Sequence, residues 1–299
     1  MARRSGTRKP SKKETIPGRR SARGERERAP ERRAPERTAP QRTVEGPPTG
    51  RAGLGAGAAH ATFYAGLLRF LKRTQVRFMV GGTCALNVYV ARDRDTKDLD
   101  IFCRPGDYPR LLKACADAGY RTEVEDERWI AKVWRGRLYC DVIFGSANAV
   151  APVTDEWFRE RFVARIFGIP VHLLAPTELV WSKAFIMDRY KFDGNDIAHI
   201  LLRMRHAIDW KRLMHHFDQH WEVLLMHVLR FRYIYPSERD SVPVWLMDEL
   251  LARLADQRRL RASHKRVCRG RLFSRDDFEI DITQWGFADV VGDHKPKDA

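Results

Sequence analysis

Residues 76–101 bring two glycines and a pair of acidic residues close together, and this stretch constrains the fold more than any other. An apolar run ends at Gly81 and Gly82, and a short helix-like segment follows. Further along, Asp98 and Asp100 fall at alternate positions of a strand-like segment that begins near residue 94. Side chains two residues apart on a strand point to the same face. The sequence therefore predicts two neighbouring carboxylates close to a glycine turn.

This combination of residue types predicts a phosphate site beside a metal site. Two ionised carboxylates on one strand face repel each other, which costs stability unless a cation lies between them. Mg²⁺ suits that position because it takes one or two carboxylates and completes its shell with water and phosphate oxygens. The glycines let the backbone approach a ligand closely, and the following helix offers free N–H groups to an anion. Either motif alone is usually a surface loop or a turn; their order along the chain carries the prediction.

A third acidic residue strengthens the prediction of a metal site. Asp141 interrupts the apolar strand pattern of residues 138–144. A carboxylate in such a run is costly to bury without a partner. A metal ion shared with Asp98 and Asp100 would be that partner.

Residues 78–144 resemble the nucleotidyltransferase superfamily built on the DNA polymerase β-like core. Its members share an apolar strand, Gly-Gly or Gly-Ser, a helix, an acid pair and a later third acid on a strand. The matching residues here are Gly81, Gly82, Asp98, Asp100 and Asp141. Arg94 and Thr96, at alternate positions before the acid pair, make the stretch most similar to the branch with abortive-infection toxins and antibiotic nucleotidyltransferases. The resemblance continues to about residue 204.

The resemblance implies an α/β (α+β) fold with a small mixed β-sheet and flanking helices, and a transferase activity. The implied reaction moves a nucleoside monophosphate from an NTP such as ATP to an acceptor hydroxyl and releases pyrophosphate. The implied catalytic and metal-binding residues are Asp98, Asp100 and Asp141, with two Mg²⁺ ions or, alternatively, Mn²⁺. The residues expected to bind the β- and γ-phosphates are Gly81, Gly82 and Thr83.

Further nucleotide-binding residues match the toxin-like branch more loosely. That branch has a lysine, an arginine and acids after the core, and the corresponding residues here are Lys183, Arg189, Asp193 and Asp196. We expect these, together with Arg94 and Thr96, to contribute to nucleotide binding. A point charge such as Lys183 near a triphosphate would offset its negative charge. The alternative is that Lys183 lies on a solvated face of a helix.

The chain is expected to have three parts. Residues 1–57 hold 16 Lys or Arg and 6 Glu, a net +10 of the +16 carried by all 299 residues. Because this segment has almost no large apolar residues, it cannot offset its ordering entropy, and we expect a disordered basic tail. The tail is either a solubilising segment or a nucleic-acid-binding arm. Residues 58–204 form the predicted core, and residues 205–299 a helical C-terminal region with a basic segment at 257–275.

Composition predicts the compartment and leaves the acceptor open. The five cysteines show no metal-binding spacing, and no apolar run reaches the ~18 residues of a membrane span, so we expect a cytoplasmic protein. The basic charge favours RNA, such as a tRNA end, as the acceptor, with a small molecule or a protein side chain as alternatives. A second hypothesis is a non-catalytic nucleic-acid-binding or toxin–antitoxin protein that retains the fold and has an antitoxin-like partner.

Overall fold

A computed structural model describes residues 41–43 and 58–291 of this chain, except residues 93, 95 and 97. The rest of the predicted basic tail and the C-terminal end lie outside the described residues. The described part contains a mixed β-sheet with flanking helices, so the predicted fold class is confirmed.

Strands and helices alternate as far as residue 117, five strands then follow with no α-helix between them, and helices dominate the remainder of the described part. The strands are β1 (Gln41–Thr43), β2 (Met79–Val80), β3 (Asp100–Phe102), β4 (Arg121–Asp126), β5 (Ile130–Arg135), β6 (Leu138–Ile143), β7 (Arg161–Ile166), β8 (Ile169–Leu173), β9 (Val267–Cys268) and β10 (Ala288–Asp289). The helices are α1 (Ala58–Arg73), α2 (Gly82–Val90), α3 (Tyr108–Asp117), α4 (Pro176–Lys183), α5 (Gly194–Met204), α6 (Trp210–His216), α7 (Trp221–Ile234), α8 (Val244–Gln257) and α9 (Glu279–Thr283).

The main sheet places the predicted acids in its centre. Its strand order is β1-β7-β8-β2-β3-β6-β5-β4. Strand β3 lies between β2, to which it is antiparallel, and β6, to which it is parallel. The register pairs Asp100 of β3 with Asp141 of β6. Residues paired in this way are neighbours in adjacent strands, ~4.7–4.9 Å apart along the hydrogen-bonding direction. Two acids that are 41 residues apart in the chain therefore lie next to each other.

Strand β3 is shorter than the alternating pattern predicted. The pattern indicated a strand from Arg94 onward, but β3 begins at Asp100. Strand β2, its antiparallel neighbour, has only two residues. The Thr96 hydroxyl donates a hydrogen bond to the Asp98 carboxylate at 2.8 Å and another to the Asp98 carbonyl oxygen at 3.2 Å. Local bonds of this kind compete with a strand ladder, and Asp98 consequently lies in the loop before the strand.

Strand β1 lies inside the predicted disordered tail. It pairs in parallel with β7, and Gln41 is opposite Arg161. Backbone pairing at a sheet edge depends on N–H and C=O groups and needs no large apolar residues. The composition of the tail therefore carried no signal for these three residues, which the structure shows as ordered.

Helix α4 ends earlier than the sequence predicted. The sequence predicts a helix that starts after Pro176, contains Lys183 and Arg189 and breaks near Asp193, but α4 stops at Lys183. A narrow hairpin follows, in which Met187 forms a β-bridge with Phe192. The Asp188 carboxylate accepts hydrogen bonds from the backbone N–H groups of residues 190 and 191, at 2.7 and 2.6 Å. These bonds close the turn and determine which of its side chains face the site.

One hydrophobic core connects the sheet with the helices that follow it. Buried side chains from α1, the central strands and α4 to α8 belong to a single cluster, which includes Tyr64, Trp157 and Phe217. The cluster runs through the boundary predicted at residue 204 without a break. Because burial of apolar area is the dominant favourable contribution to folding, this continuity holds the C-terminal helices firmly against the sheet that carries the acids.

All five cysteines lie in the described part of the chain, where each is buried and free of disulfide bonds. Four of them lie in apolar segments of the sequence, which predicts small core residues, and the burial of these four agrees with that prediction. A membrane-crossing helix, which needs about 20 apolar residues, is absent from the residues that the structure describes.

Candidate active site

The glycine turn between β2 and α2 packs directly against an acid. The Gly81 N–H donates a hydrogen bond to the Asp100 carbonyl oxygen at 3.0 Å, which ties the turn to β3. Gly82 has a φ of +52°, and a Cβ built on it would lie 1.6 Å from Oδ2 of Asp100. Only glycine combines that backbone angle with the lack of a side chain. The turn therefore accommodates the Asp100 carboxylate at its surface.

The three predicted acids line one cavity. Asp98, Asp100 and Asp141 all contribute to its wall, together with Gly82 and Thr83. The position of Asp141 is also held by its backbone N–H, which donates to the Leu99 carbonyl oxygen at 2.9 Å. The structure therefore brings the predicted phosphate turn and the predicted acids to a single place.

Burial and mutual repulsion make ionisation of Asp100 and Asp141 unfavourable. Burial, reinforced by the negative charge of Asp98, raises the pKa of Asp100 from 3.8 to about 6. Burial, reinforced by the charge of Asp100, raises the pKa of Asp141 from 3.8 to about 7. A cation among the carboxylates would lower both pKa values, because an opposite charge favours the ionised form. The cluster is therefore arranged to gain from a bound cation.

Asp141 differs from the other buried acids of the described chain. The buried carboxylates are those of Asp107, Asp141, Glu178, Asp193 and Asp196. Four of them form ion pairs, Asp107 with Arg104, Glu178 with Arg212, and Asp193 and Asp196 with Lys183. Asp141 forms none within the described residues, and its Oδ1 also lacks a hydrogen-bond partner there. Lys132, its cross-strand neighbour, is paired with Glu125 at 2.6 Å instead.

The acids fit a metal ion that brings ligands of its own. No three His, Cys, Asp or Glu side chains in the described part form a group that could hold a metal ion by themselves. Mg²⁺ does not need such a group, because it is usually bound through one or two carboxylates with waters and substrate phosphates. The orphaned Oδ1 of Asp141 and the crowded Asp100 carboxylate suit that mode. These residues therefore fit a magnesium–nucleotide complex better than a metal ion bound alone.

Lys183 is part of a buried, neutralised network. Its ammonium donates hydrogen bonds to Asp193 at 2.7 Å and to Asp196 at 2.9 Å. Asp196 also accepts a hydrogen bond from Arg94 at 2.9 Å. Burial by itself lowers the pKa of Lys183, but the two carboxylates outweigh that effect and the pKa is raised. Lys183 therefore remains charged, yet its charge is already matched by its partners.

The same network connects three parts of the chain around the cavity. Arg94 belongs to the loop before β3, Lys183 ends α4, and Asp193 is the N-cap residue of α5. A buried pair of this kind is strongly destabilising to break. These predicted nucleotide-binding residues thus support the wall of the cavity, and Lys183 and Asp193 also line it.

The hairpin after α4 presents a lysine that sequence reasoning missed. Arg189, which the sequence favoured, lies outside the cavity lining, is 70% exposed and pairs with Asp277 at 3.1 Å. Lys191 lines the cavity, and its charge limits the rise in the pKa of Asp100 that burial causes. No ion pair of Lys191 is found in the described chain. Only the hairpin geometry distinguishes Lys191 from the basic residues near it in the sequence.

The far wall of the cavity comes from the C-terminal region. The cavity has a volume of about 580 Å³ and is also lined by residues 271–277, including Arg271 and Arg275. The sequence predicted a basic segment at 257–275 in this region. In the structure, two of its arginines are part of the same cavity as the acids. Sequence spacing could not show this, because about 130 residues separate Asp141 from this wall.

Comparisons with known proteins find likenesses in fold. No family model and no curated protein matches the chain. Antibiotic-resistance factor ANT(2'')-Ia is similar in structure at 15% identity and a TM-score of 0.39, covering 57% of this chain and 98% of that one. Lincomycin-bound lincosamide antibiotic adenylyltransferase LnuA is similar at 15% identity and a TM-score of 0.33, covering 48% of this chain and 95% of that one. An antigenic nucleotidyltransferase-like protein from Paracoccidioides brasiliensis is similar at 14% identity and a TM-score of 0.40, covering 62% of this chain and 92% of that one. The resemblance predicted from the sequence agrees with these likenesses.

Proposed function

We propose that this chain is a metal-dependent nucleotidyltransferase. In the proposed reaction, the oxygen of an acceptor hydroxyl forms a bond to the α-phosphorus of an NTP. The bond between the α- and β-phosphates breaks, and pyrophosphate leaves with its electron pair. RNA and small molecules are both retained as acceptors.

The observation that carries this proposal is the Asp141 carboxylate beside Asp100, which forms no ion pair within the described residues and has an Oδ1 without a hydrogen-bond partner there. The four other buried carboxylates of the described chain have a cation within ion-pair distance. Since the other buried acids each have a cationic partner, two adjacent acids with raised pKa values are not explained by a role in stabilising the fold. Perturbed acids of this kind are typical of catalytic sites.

The residues proposed to hold the triphosphate lie at the start of α2. The N–H groups at the beginning of a helix and its positive dipole end favour an anion. Gly81, Gly82 and Thr83 occupy that position, and Gly82 and Thr83 line the cavity. Lys191 adds a positive charge that no described carboxylate neutralises. The charge on the β- and γ-phosphates would therefore meet both N–H donors and an ammonium group.

Asp98, Asp100 and Asp141 are proposed to hold the metal ions, Mg²⁺ or alternatively Mn²⁺. When bound, the metal supplies neutralisation of the phosphate charge and orients the reacting oxygens. Asp141 is also proposed to take the proton from the acceptor hydroxyl. Its carboxylate lines the cavity into which the acceptor hydroxyl would enter.

The experiment that tests the proposal separates nucleotide binding from transfer. The full-length protein is incubated with each labelled NTP and Mg²⁺, first alone and then with total RNA or with a mixture of small-molecule alcohols. We expect labelled acceptor with the wild-type protein, and a loss of at least about 100-fold in Asp98→Ala. Asp248→Ala, which changes an exposed acid on α8, is the matched control.

The outcomes distinguish the enzyme from the alternative that keeps only the fold. Equal transfer by Asp98→Ala and the wild-type protein, with both folded by circular dichroism, would refute the assignment. Magnesium-dependent NTP binding without transfer to any acceptor would instead support the non-catalytic hypothesis. Absence of NTP binding would argue against both the phosphate turn and the acid cluster as a nucleotide site.

A further inference from the structure

The cavity has a second end, on the side of the acids away from the glycine turn. Strands β3 and β6 are parallel, and the glycine turn lies at Asp100, where β3 begins. Following β6 from Asp141 leads past Ile143 to Gly145, and all three residues line the cavity. Gly145 follows β6, which ends at Ile143, and so lies farther along this line than Asp141. One end of the cavity therefore belongs to the triphosphate turn, and the other lies beyond the acids.

The C-terminal region reaches this second end. The Asn148 side chain donates a hydrogen bond to the Leu272 carbonyl oxygen at 2.9 Å. The Arg275 guanidinium donates one to the Ala147 carbonyl oxygen at 3.3 Å. These contacts hold the segment around Arg275 against the loop that follows β6.

Arg275 carries a positive charge that is not ion-paired within the described residues. It lines the cavity, and no ion pair joins it to any carboxylate in the part of the chain that the structure describes. Burial, together with the positive charges of Arg128 and Arg271, lowers the pKa of Arg275. Arg128 is itself bound by Asp126 at 2.7 Å. A guanidinium in such a position would be stabilised by an anion entering the cavity.

Arg271 supplies a second, independent observation. Its side chain is only 9% exposed, lines the cavity and pairs with Asp289 at 2.6 Å and with Glu279 at 3.5 Å. These pairs use the terminal nitrogens, and Nε is buried without a hydrogen-bond partner among the described residues. Buried donors are normally satisfied, so this orphaned N–H indicates a missing acceptor beside Arg271.

We propose that Arg275, with Arg271 beside it, binds a phosphate group carried by the acceptor. This inference rests on the proposed function, which places the triphosphate at the opposite end of the cavity. The planar fork of a guanidinium matches phosphate oxygens, which it binds in pairs. Phe102, Ile130 and Ile143 give the cavity lining apolar surface. The apolar or ring portion of the acceptor would lie on such surface, with its hydroxyl at Asp141.

Binding is tested first, because it does not depend on transfer. Inorganic phosphate is titrated into the full-length protein at constant ionic strength, and heat of binding and thermal stabilisation are measured. We expect saturable binding to the wild-type protein and binding about 10- to 100-fold weaker in Arg275→Met, the range for loss of a charged hydrogen bond. Arg275→Lys should retain part of the affinity, because it keeps the charge and loses the fork.

A matched control variant comes from the same segment. Arg269 is 62% exposed on its side chain, faces Glu222 at 3.9 Å and does not line the cavity. Arg269→Met should bind phosphate as the wild-type protein does. Equal binding by the wild-type protein and Arg275→Met, or no saturable binding to either, would overturn the subsite. An equal loss in Arg269→Met would also overturn it, because the effect would then come from general charge.

Transfer kinetics assign the subsite to the acceptor. For a phosphate-bearing acceptor, Arg275→Met should raise the acceptor KM about 10-fold or more and leave the NTP KM unchanged. A raised NTP KM with an unchanged acceptor KM would place Arg275 in the nucleotide half and refute the proposal. If the wild-type protein binds phosphate through Arg275 but transfers nothing, the proposed function fails while the anion site stands.

Discussion

Replacing Asp141 by Asn should stabilise the metal-free protein while it destroys catalysis. Asn has nearly the same shape as Asp but cannot ionise. Because the folded pKa of Asp141 is about 7, above the usual 3.8, the folded state binds more protons than the unfolded chain. Its contribution to stability is therefore fully present below about pH 4 and is lost as the pH rises through about 7.

The magnitude follows from the difference between the two pKa values. About 3 pH units separate 3.8 from about 7, and at ~1.36 kcal/mol per unit this is about 4 kcal/mol above pH 7. Asp100 and Asp141 titrate as a coupled pair, so the benefit is shared between them. We expect Asp141→Asn to raise the free energy of unfolding by about 2–4 kcal/mol at pH 8. At pH 5, which is 1.2 units above the unfolded value of 3.8, the gain should be smaller, about 1–2 kcal/mol.

The assay is thermal unfolding in EDTA at a series of pH values from 5 to 8. A gain of 2–4 kcal/mol corresponds to a rise in Tm of roughly 4–15 °C at pH 8 for a protein of this size. Asp248→Asn, an exposed acid on α8, should leave the Tm unchanged at every pH. With saturating Mg²⁺ and NTP the order should reverse, because only the wild-type protein keeps the full set of acids.

Two results would contradict this reasoning. If Asp141→Asn and the wild-type protein had the same Tm throughout the pH series, ionisation of Asp141 would not cost the folded protein stability. If Asp141→Asn lowered the Tm at pH 8 in EDTA, the carboxylate would already be making favourable contacts within the protein.

Two further substitutions test the walls of the site. Gly82→Ala should abolish nucleotidyl transfer and lower the free energy of unfolding by about 1–3 kcal/mol. The new Cβ would displace the Asp100 carboxylate, and alanine would be strained at a φ of +52°. A variant with the transfer rate and Tm of the wild-type protein would contradict this close approach. Lys191→Met should raise the NTP KM about 10-fold, because a charge-assisted contact to the phosphates is lost. Arg189→Met should have a smaller effect on the NTP KM. A larger effect from Arg189→Met would favour the sequence prediction over the hairpin geometry.

Local sequence patterns were sufficient to predict the elements around the acids. The glycine turn, the apolar strands and the isolated acid of β6 are each visible within about ten residues of sequence. The extent of β3 was not predictable, because Thr96 bonds to Asp98 and the strand starts only at Asp100. Polar residues at alternate positions look the same in a sequence whether the segment is a strand or an extended loop. Only hydrogen-bonded pairing with a neighbouring strand distinguishes the two.

The cationic parts of the site were harder to predict than the acidic ones. Lys183, Arg189 and Lys191 are close in sequence, and their roles depend on where α4 ends and how the hairpin folds back. Lys183 lies against two acids, Arg189 faces Asp277, and Lys191 faces the cavity. Arg275 could not be assigned to the site at all from sequence, since its position depends on tertiary packing against the loop after β6.

The distribution of paired and unpaired charges connects these results. Lys183 with its two acids, Arg212 with Glu178, and Arg271 with Asp289 show that buried ionic groups in this fold are matched within the chain. Against that background, neither Asp141 nor Arg275 forms an ion pair within the described residues, and both line one cavity. Bringing the two groups together would satisfy each, yet the fold holds them at opposite ends. A ligand set with a cation at one end and a phosphate group at the other would satisfy both and bring the acceptor hydroxyl to Asp141.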